Sequence, residues 1–254
     1  REDEGVGTVH VSGHRATEDA DRSDQYVTSV IAEVAIARAR AEVSSAHADL
    51  LTAGLVTAAE GSVSARVPAT DLFVITPADA LAGELTPDAM ILCDVRGGVV
   101  VAGTPGAQSP VPADVAAHAH VYGTMGEVGG IVHVASPYAT GWAARGEEIP
   151  CVVTAMADEF GGAVPVAPLA ADDAQLGAVV VETLRGQRSP ALLVQNRGAI
   201  AVGTRARAAA RIAVKLENVA RIAQLARQGG APVTIPQAVI DARYDGSARR
   251  PERT

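Results

Sequence analysis

His133 closes the apolar run Gly129-Gly130-Ile131-Val132, and Val134, Ala135 and Ser136 follow it before a helix opens near Pro137. An imidazole at a strand end can move protons near neutral pH or bind a metal. A catalytic zinc takes about three protein ligands, so a metal role needs partners. The chain has six histidines, at 10, 14, 47, 118, 120 and 133. His10 and His14 fall in a charged, Gly-containing stretch. His118 and His120 share a predicted helix, on which neighbours two apart diverge by roughly 200°, so they do not grip one ion together. The sequence holds no Walker loop, no GxGxxG after a strand, no HExxH, no CxxC pair and no GxSxG.

The elements that must place His133 can be read from periodicity and punctuation. Residues 1–24 read as a flexible arm. A helix is expected from Asp24 to Ala53, stopped by Gly54. Short strands follow in "SVSARV", "DLFVITP", "AMILCDV" and "VVVAG", with hairpin-like spacing. A helix begins after Pro112, "GGIVHVAS" is a strand, and "PYATGWAARG" is a short helix ending at Gly146. "IPCVVT" and "AVPVAP" read as strands and 171–186 as a helix. "PALLVQNRGAIAVG" reads as a hairpin bending at Asn196-Arg197-Gly198, and a long amphipathic helix ends at Gly229-Gly230. The expected organisation is one domain over 25–230 and a Pro-rich, then basic, tail over 231–254. Strands and helices mix throughout, which predicts an α/β fold with a mixed sheet.

Composition narrows the function. With 3% aromatic residues and a net charge of −8, the chain lacks the stacking platforms and basic surface that nucleic acids require. No apolar run approaches a membrane span, and no signal-like segment opens the chain. A cytoplasmic protein with no nucleic-acid or membrane partner is expected. Cys93 and Cys151 lie in apolar contexts and read as buried thiols.

Four patches and a hairpin resemble the class II aldolase/adducin family, most of all its ribulose-5-phosphate 4-epimerase-like members. "GLVTAAEGSVS" (54–64) is similar to the family's phosphate loop. "ADVAAH" (113–118) matches a segment with an acidic residue four before a histidine. "GGIVHVASPYATGWAARGEEIP" (129–150) matches GGIVHTHS and its helix. "TAMADEFGGAVPVAP" (154–168) is similar to the epimerases' THADYFFGDIP, and "LLVQNRGAIAVG" to the family's HG strand pair. The resemblance implies a three-layer α/β/α domain with a central mixed, largely antiparallel sheet, a homotetramer, and a divalent metal held by three histidines. Asp114 takes the position of an acidic residue that helps catalysis or metal binding. Asp158 matches an acid/base residue of the epimerases, and Tyr244 a tail tyrosine that reaches a neighbour's site.

The chain departs from that pattern at the metal. His133 matches the first histidine, but Ala135 and Arg197 stand at the other two. It departs at the phosphate too: Ser62 replaces Asn, Ala78 and Asp79 replace a Thr-Gly or Ser-Gly pair, and Pro112 and Ala113 replace Ser-Ser. These changes lead to the expectation of an enzyme with no cofactor, a divalent metal being disfavoured. It would carry out enolate-type chemistry (aldol or retro-aldol, dehydration, decarboxylation or cyclisation) on a non-phosphorylated carbonyl or carboxylate, in secondary metabolism. Arg197 would hold an anion or oxyanion where the metal sits in relatives. The candidate catalytic set is His133, Asp114, Arg197, Asp158 and Tyr244; the candidate small-molecule-binding set is Ser62, Glu60, Asp79, Ser136 and His118. Plain structural readings stand beside these: a satisfied core histidine at 133, a surface arginine or Asp114 partner at 197, a helix cap at 158. Two other functions remain open: an adducin-like binding domain without catalysis, and a metal-dependent aldolase or epimerase with substitute ligands.

Overall fold

Eight short strands form one sheet in the computed structural model, which describes residues 13–55, 61–78, 85–101 and 110–248. In chain order they are β1 (Ser62–Arg66), β2 (Leu72–Ile75), β3 (Ile91–Asp94), β4 (Val99–Val101), β5 (Gly130–Val134), β6 (Val166–Ala167), β7 (Ala191–Val194) and β8 (Gly198–Gly203). Their spatial order is β4-β3-β2-β1-β5-β8-β7-β6. Every pairing is antiparallel except β6 with β7. The sheet is thus mixed and largely antiparallel, as expected.

Alternation along the strands divides the core in two. Val63 and Ala65 of β1, Val132 and Val134 of β5, and Ala199 and Ala201 of β8 face α1 (Gly13–Thr52), α3 (Pro137–Arg145) and α6 (Ala206–Arg227). Ile131, Ile200 and Val202 face α2 (Val115–Thr124) and α5 (Asp173–Leu184) on the other side. This is the three-layer α/β/α arrangement. Side chains are small on the α6 side, which lets that helix press close: a Cβ at Gly130 would lie 2.2 Å from the Ala206 nitrogen. Glycine is therefore obligatory where β5 begins.

Several elements differ from their expected extent. Helix α1 starts at Gly13, within the stretch read as an arm; residues 1–12 lie outside the described residues. "IPCVVT" is not a strand: Ile149 makes one isolated bridge to Val164, and helix α4 (Thr154–Phe160) follows at once. Gly161, at φ 65°, ends α4 in the left-handed conformation. "AVPVAP" contributes only the two residues of β6, because prolines on both sides deny it ladder donors. The tail contains helix α7 (Gln237–Ala248), begun after Pro236 and packed on α4. No helix among the described residues is long and apolar enough to cross a membrane.

Candidate active site

The site forms where the last residues of β5 meet the start of α2. In the antiparallel register His133 of β5 stands directly opposite Ser62 of β1. Both side chains point to the α2 face, since their neighbours Val63 and Val132 point away from it. Asp114 is the residue before α2, so the start of that helix lies beside this pair.

Asp114 Oδ2 gathers the contacts. The Ser62 hydroxyl donates to it at 2.5 Å, and His133 Nδ1 lies at 2.8 Å. A carboxylate only accepts, so Nδ1 of His133 carries a proton, and in the neutral ring it is Nε2 that keeps the lone pair. His118 Nε2 is 3.5 Å from the same oxygen and 3.1 Å from Ser62 Oγ. The three side chains are only 14%, 10% and 2% exposed for His133, Asp114 and His118. Burial pushes the Asp114 carboxyl up. The hydrogen bonds of His118 and His133, and their positive charges whenever those rings are protonated, outweigh that and hold it well below the usual carboxylate range. Asp114 is therefore an anion.

Ser136 follows β5 and is buried, but its hydroxyl is turned to α6. It donates to Glu217 Oε2 at 2.7 Å. The same carboxylate accepts from the Tyr138 and Ala139 amides at 2.8 and 2.9 Å. Glu217 thus satisfies the opening amides of α3 from another helix and complements its dipole.

The expected catalytic set is not gathered in one place. Arg197 sits in the β7–β8 bend, where Gly198 (φ 120°) would clash with the Val134 carbonyl if it carried a Cβ. Its guanidinium turns to Asp173 in the first turn of α5 and ion-pairs there, instead of joining Asp114 or His133. Asp158 on α4 pairs with Arg243 of α7 at 2.6 Å. Tyr244 of α7 lies under the Arg188 guanidinium, 5.1 Å from ring centre to carbon, and its hydroxyl donates to the Arg188 carbonyl at 3.4 Å. Asp158 and Tyr244 thus share the α4–α7 contact. Glu60 and Asp79 lie outside the described residues. Sequence reasoning missed Ser64, Tyr122 and Glu217. Ser64 Oγ is 2.7 Å from His118 Nδ1 and 2.8 Å from the Tyr122 hydroxyl. The spacings Ser62/Ser64 and Asp114/His118/Tyr122, two apart on a strand and four apart on a helix, were the available signal.

Residues 41–224 match the family described as Class II Aldolase and Adducin N-terminal domain. An L-ribulose-5-phosphate 4-epimerase, UlaF, from Salmonella paratyphi B is 35% identical over 196 residues, covering 73% of this chain and 84% of the epimerase. Among solved structures, an L-fuculose 1-phosphate aldolase superposes with a TM-score of 0.74 at 23% identity, over 82% of this chain and 95% of its own. The L-fuculose-1-phosphate aldolase of Thermus thermophilus gives 0.60 at 23% identity, over 79% and 98%. The chain belongs to the class II aldolase/adducin family.

That membership corrects one expectation. Ribulose-5-phosphate 4-epimerases and fuculose-1-phosphate aldolases are class II aldolases that use a divalent metal, usually zinc, which overturns the inference that no cofactor is involved. The residues at hand fit the family's three-histidine ligand set at His133 only, with Ala135 and Arg197 at the other positions. Among the described residues no group of three or more His, Cys, Asp or Glu side chains is placed to hold a metal.

Proposed function

We propose that this chain is an aldolase- or epimerase-type enzyme of small hydroxy-carbonyl compounds, with Nε2 of His133 as its acid–base atom. The observation that carries the reading is the 2.8 Å contact between His133 Nδ1 and Asp114 Oδ2. It leaves the basic nitrogen of a partly exposed imidazole at the end of a central strand. When Nε2 takes a proton from a substrate hydroxyl or an α-carbon, the Asp114 carboxylate stabilises the imidazolium. When the product forms, Nε2 returns the proton. Positioned proton transfer of this kind contributes about 10²–10⁴-fold in rate. Family membership supports the reaction class.

The relatives above are named for sugar phosphates, so they lend no support to a non-phosphorylated substrate. L-ribulose 5-phosphate and L-fuculose 1-phosphate are the first compounds to offer. Epimerisation or carbon–carbon cleavage, followed by proton NMR in zinc-supplemented buffer, tests the reading. Conversion of neither these nor the free sugars would contradict it.

We further propose a homotetramer, as the family resemblance implies. Val30, Ile31 and Val34 support it, standing 40%, 64% and 46% exposed along one side of α1 beside Arg66. Light scattering should give four chains per particle; a monomer would contradict this.

A further inference from the structure

Strand β1 and helix α2 run side by side in matched steps. Two residues of strand advance about 6.6 Å, and four residues of helix advance about 6.0 Å. Ser62, Ser64 and Arg66 on one face of β1 therefore keep pace with Asp114, His118 and Tyr122 along one stripe of α2. The contacts follow that order: Ser62 meets Asp114 and His118, Ser64 meets His118 and Tyr122, and Arg66 meets Tyr122.

We propose that His118, Ser64 and Tyr122 are positioning residues: they form a one-way chain of hydrogen bonds that commits the Ser62 hydroxyl proton to Asp114. The direction can be worked out from the charged end. Asp114 accepts only, so Ser62 must donate to it. The Ser62 oxygen is then free to accept, and the group at 3.1 Å is His118 Nε2, which must carry its proton. A neutral imidazole protonated there presents a lone pair at Nδ1, which receives the Ser64 hydroxyl at 2.7 Å. The Ser64 oxygen in turn accepts from Tyr122 at 2.8 Å.

The far end is held against reversal. Tyr122 is buried, and burial pushes its phenol up, so it keeps its proton. Arg66 fixes the last turn of α2: it donates to the carbonyls of Tyr122 at 2.5 Å, Met125 at 3.2 Å and Val128 at 3.0 Å. Its guanidinium carbon stands 4.9 Å from the Tyr122 ring centre. The opposite chain would require a proton on Asp114. With the His118 proton on Nδ1 instead, Nε2 would compete with Asp114 for the Ser62 proton, and the carboxylate would lose a charge-assisted hydrogen bond. Ser64 and Tyr122 thereby act on the carboxylate that orients His133 without touching either.

This proposal depends on the functional reading above only for what the aligned carboxylate is for; the chain itself is tested without substrate. The protein is labelled with ¹⁵N histidine, and long-range proton–nitrogen correlations are recorded at pH 8, above the ordinary imidazole range of about 6.5. His118 should appear as one neutral tautomer with its proton on Nε2. Ser64→Ala removes the donor to Nδ1 and should add a second set of His118 signals with the proton on Nδ1. Tyr122→Phe, which frees Ser64 to turn either way, should add a smaller share of the same signals, and Ser64→Thr should restore the single tautomer. A wild-type His118 protonated on Nδ1 or on both nitrogens would overturn the proposal, as would variants with wild-type spectra. In turnover, Ser64→Ala should lower kcat about tenfold or more at constant KM. A protein with the predicted spectra and no turnover would refute the functional reading and leave the chain standing.

Discussion

His133 and Asp114 come from different layers, the sheet and the helix in front of it, yet Nδ1 of one lies 2.8 Å from Oδ2 of the other. The contact fixes which imidazole nitrogen is basic. Asp114→Asn keeps the shape but removes the anion that stabilises the imidazolium. Its kcat should fall by about 10²-fold or more, with KM changed far less. Steady-state kinetics on whichever compound is converted checks this; an unchanged kcat would show that the carboxylate plays no part.

The same carboxylate should mark the acid limit of the fold. Its folded pKa is depressed below the unfolded value of about 3.9. Its stabilising contribution is therefore complete above that value and is lost as the pH falls through the folded one. Urea midpoints measured from pH 6 downward should drop for the wild type as this window is entered. Asp114→Asn should start lower and fall less steeply. Parallel curves for the two proteins would contradict the assignment.

Glu217 closes the N-terminus of α3 through three hydrogen bonds. Glu217→Gln removes the charge and weakens two amide contacts, and should cost about 1–2 kcal/mol. For a chain of this size that is a fall of a few degrees in Tm, readable by calorimetry. Because Ser136 lies three residues beyond His133, activity should fall further than the loss of folded protein explains.

Most strands could be read in advance because alternation and glycine punctuation record them locally, and the three layers were implied by the family resemblance. The nearness of Asp114 to His133 was implied by the family motifs, whereas the Ser62–His133 pairing emerges only from the sheet register. Arg197 shows the limit. A matched position predicts where a Cα lies, but a long guanidinium side chain reaches the nearest carboxylate, here Asp173 in the first turn of α5. Helix α4 was hidden because "TAMADEF" is short and its strand-like prelude, "IPCVV", is apolar. The stripe of Asp114, His118 and Tyr122 was visible in the spacing but acquires meaning only when β1 is laid beside it.

Helix α7 is held on α4 by an exposed ion pair, Arg243 with Asp158 at 2.6 Å, and a half-buried hydrogen bond from Ser247 to the Asp158 carbonyl at 2.7 Å; Asp241 pairs with Arg188 of the α5–β7 loop at 2.5 Å. Exposed ion pairs contribute little each and are screened by salt. Arg243→Ala should leave the global Tm nearly unchanged while amide exchange in 237–248 speeds up, more so at high salt. Exchange as slow as in the wild type would place the anchor elsewhere, on the buried Ile240.

The most direct test of the account replaces the acid–base atom itself. Wild type and His133→Gln are offered L-ribulose 5-phosphate and L-fuculose 1-phosphate in zinc-supplemented buffer, and conversion is followed by proton NMR. The wild type should turn over at least one of them, and the variant should lose about 10²-fold or more in kcat. Equal rates for the two proteins would contradict it.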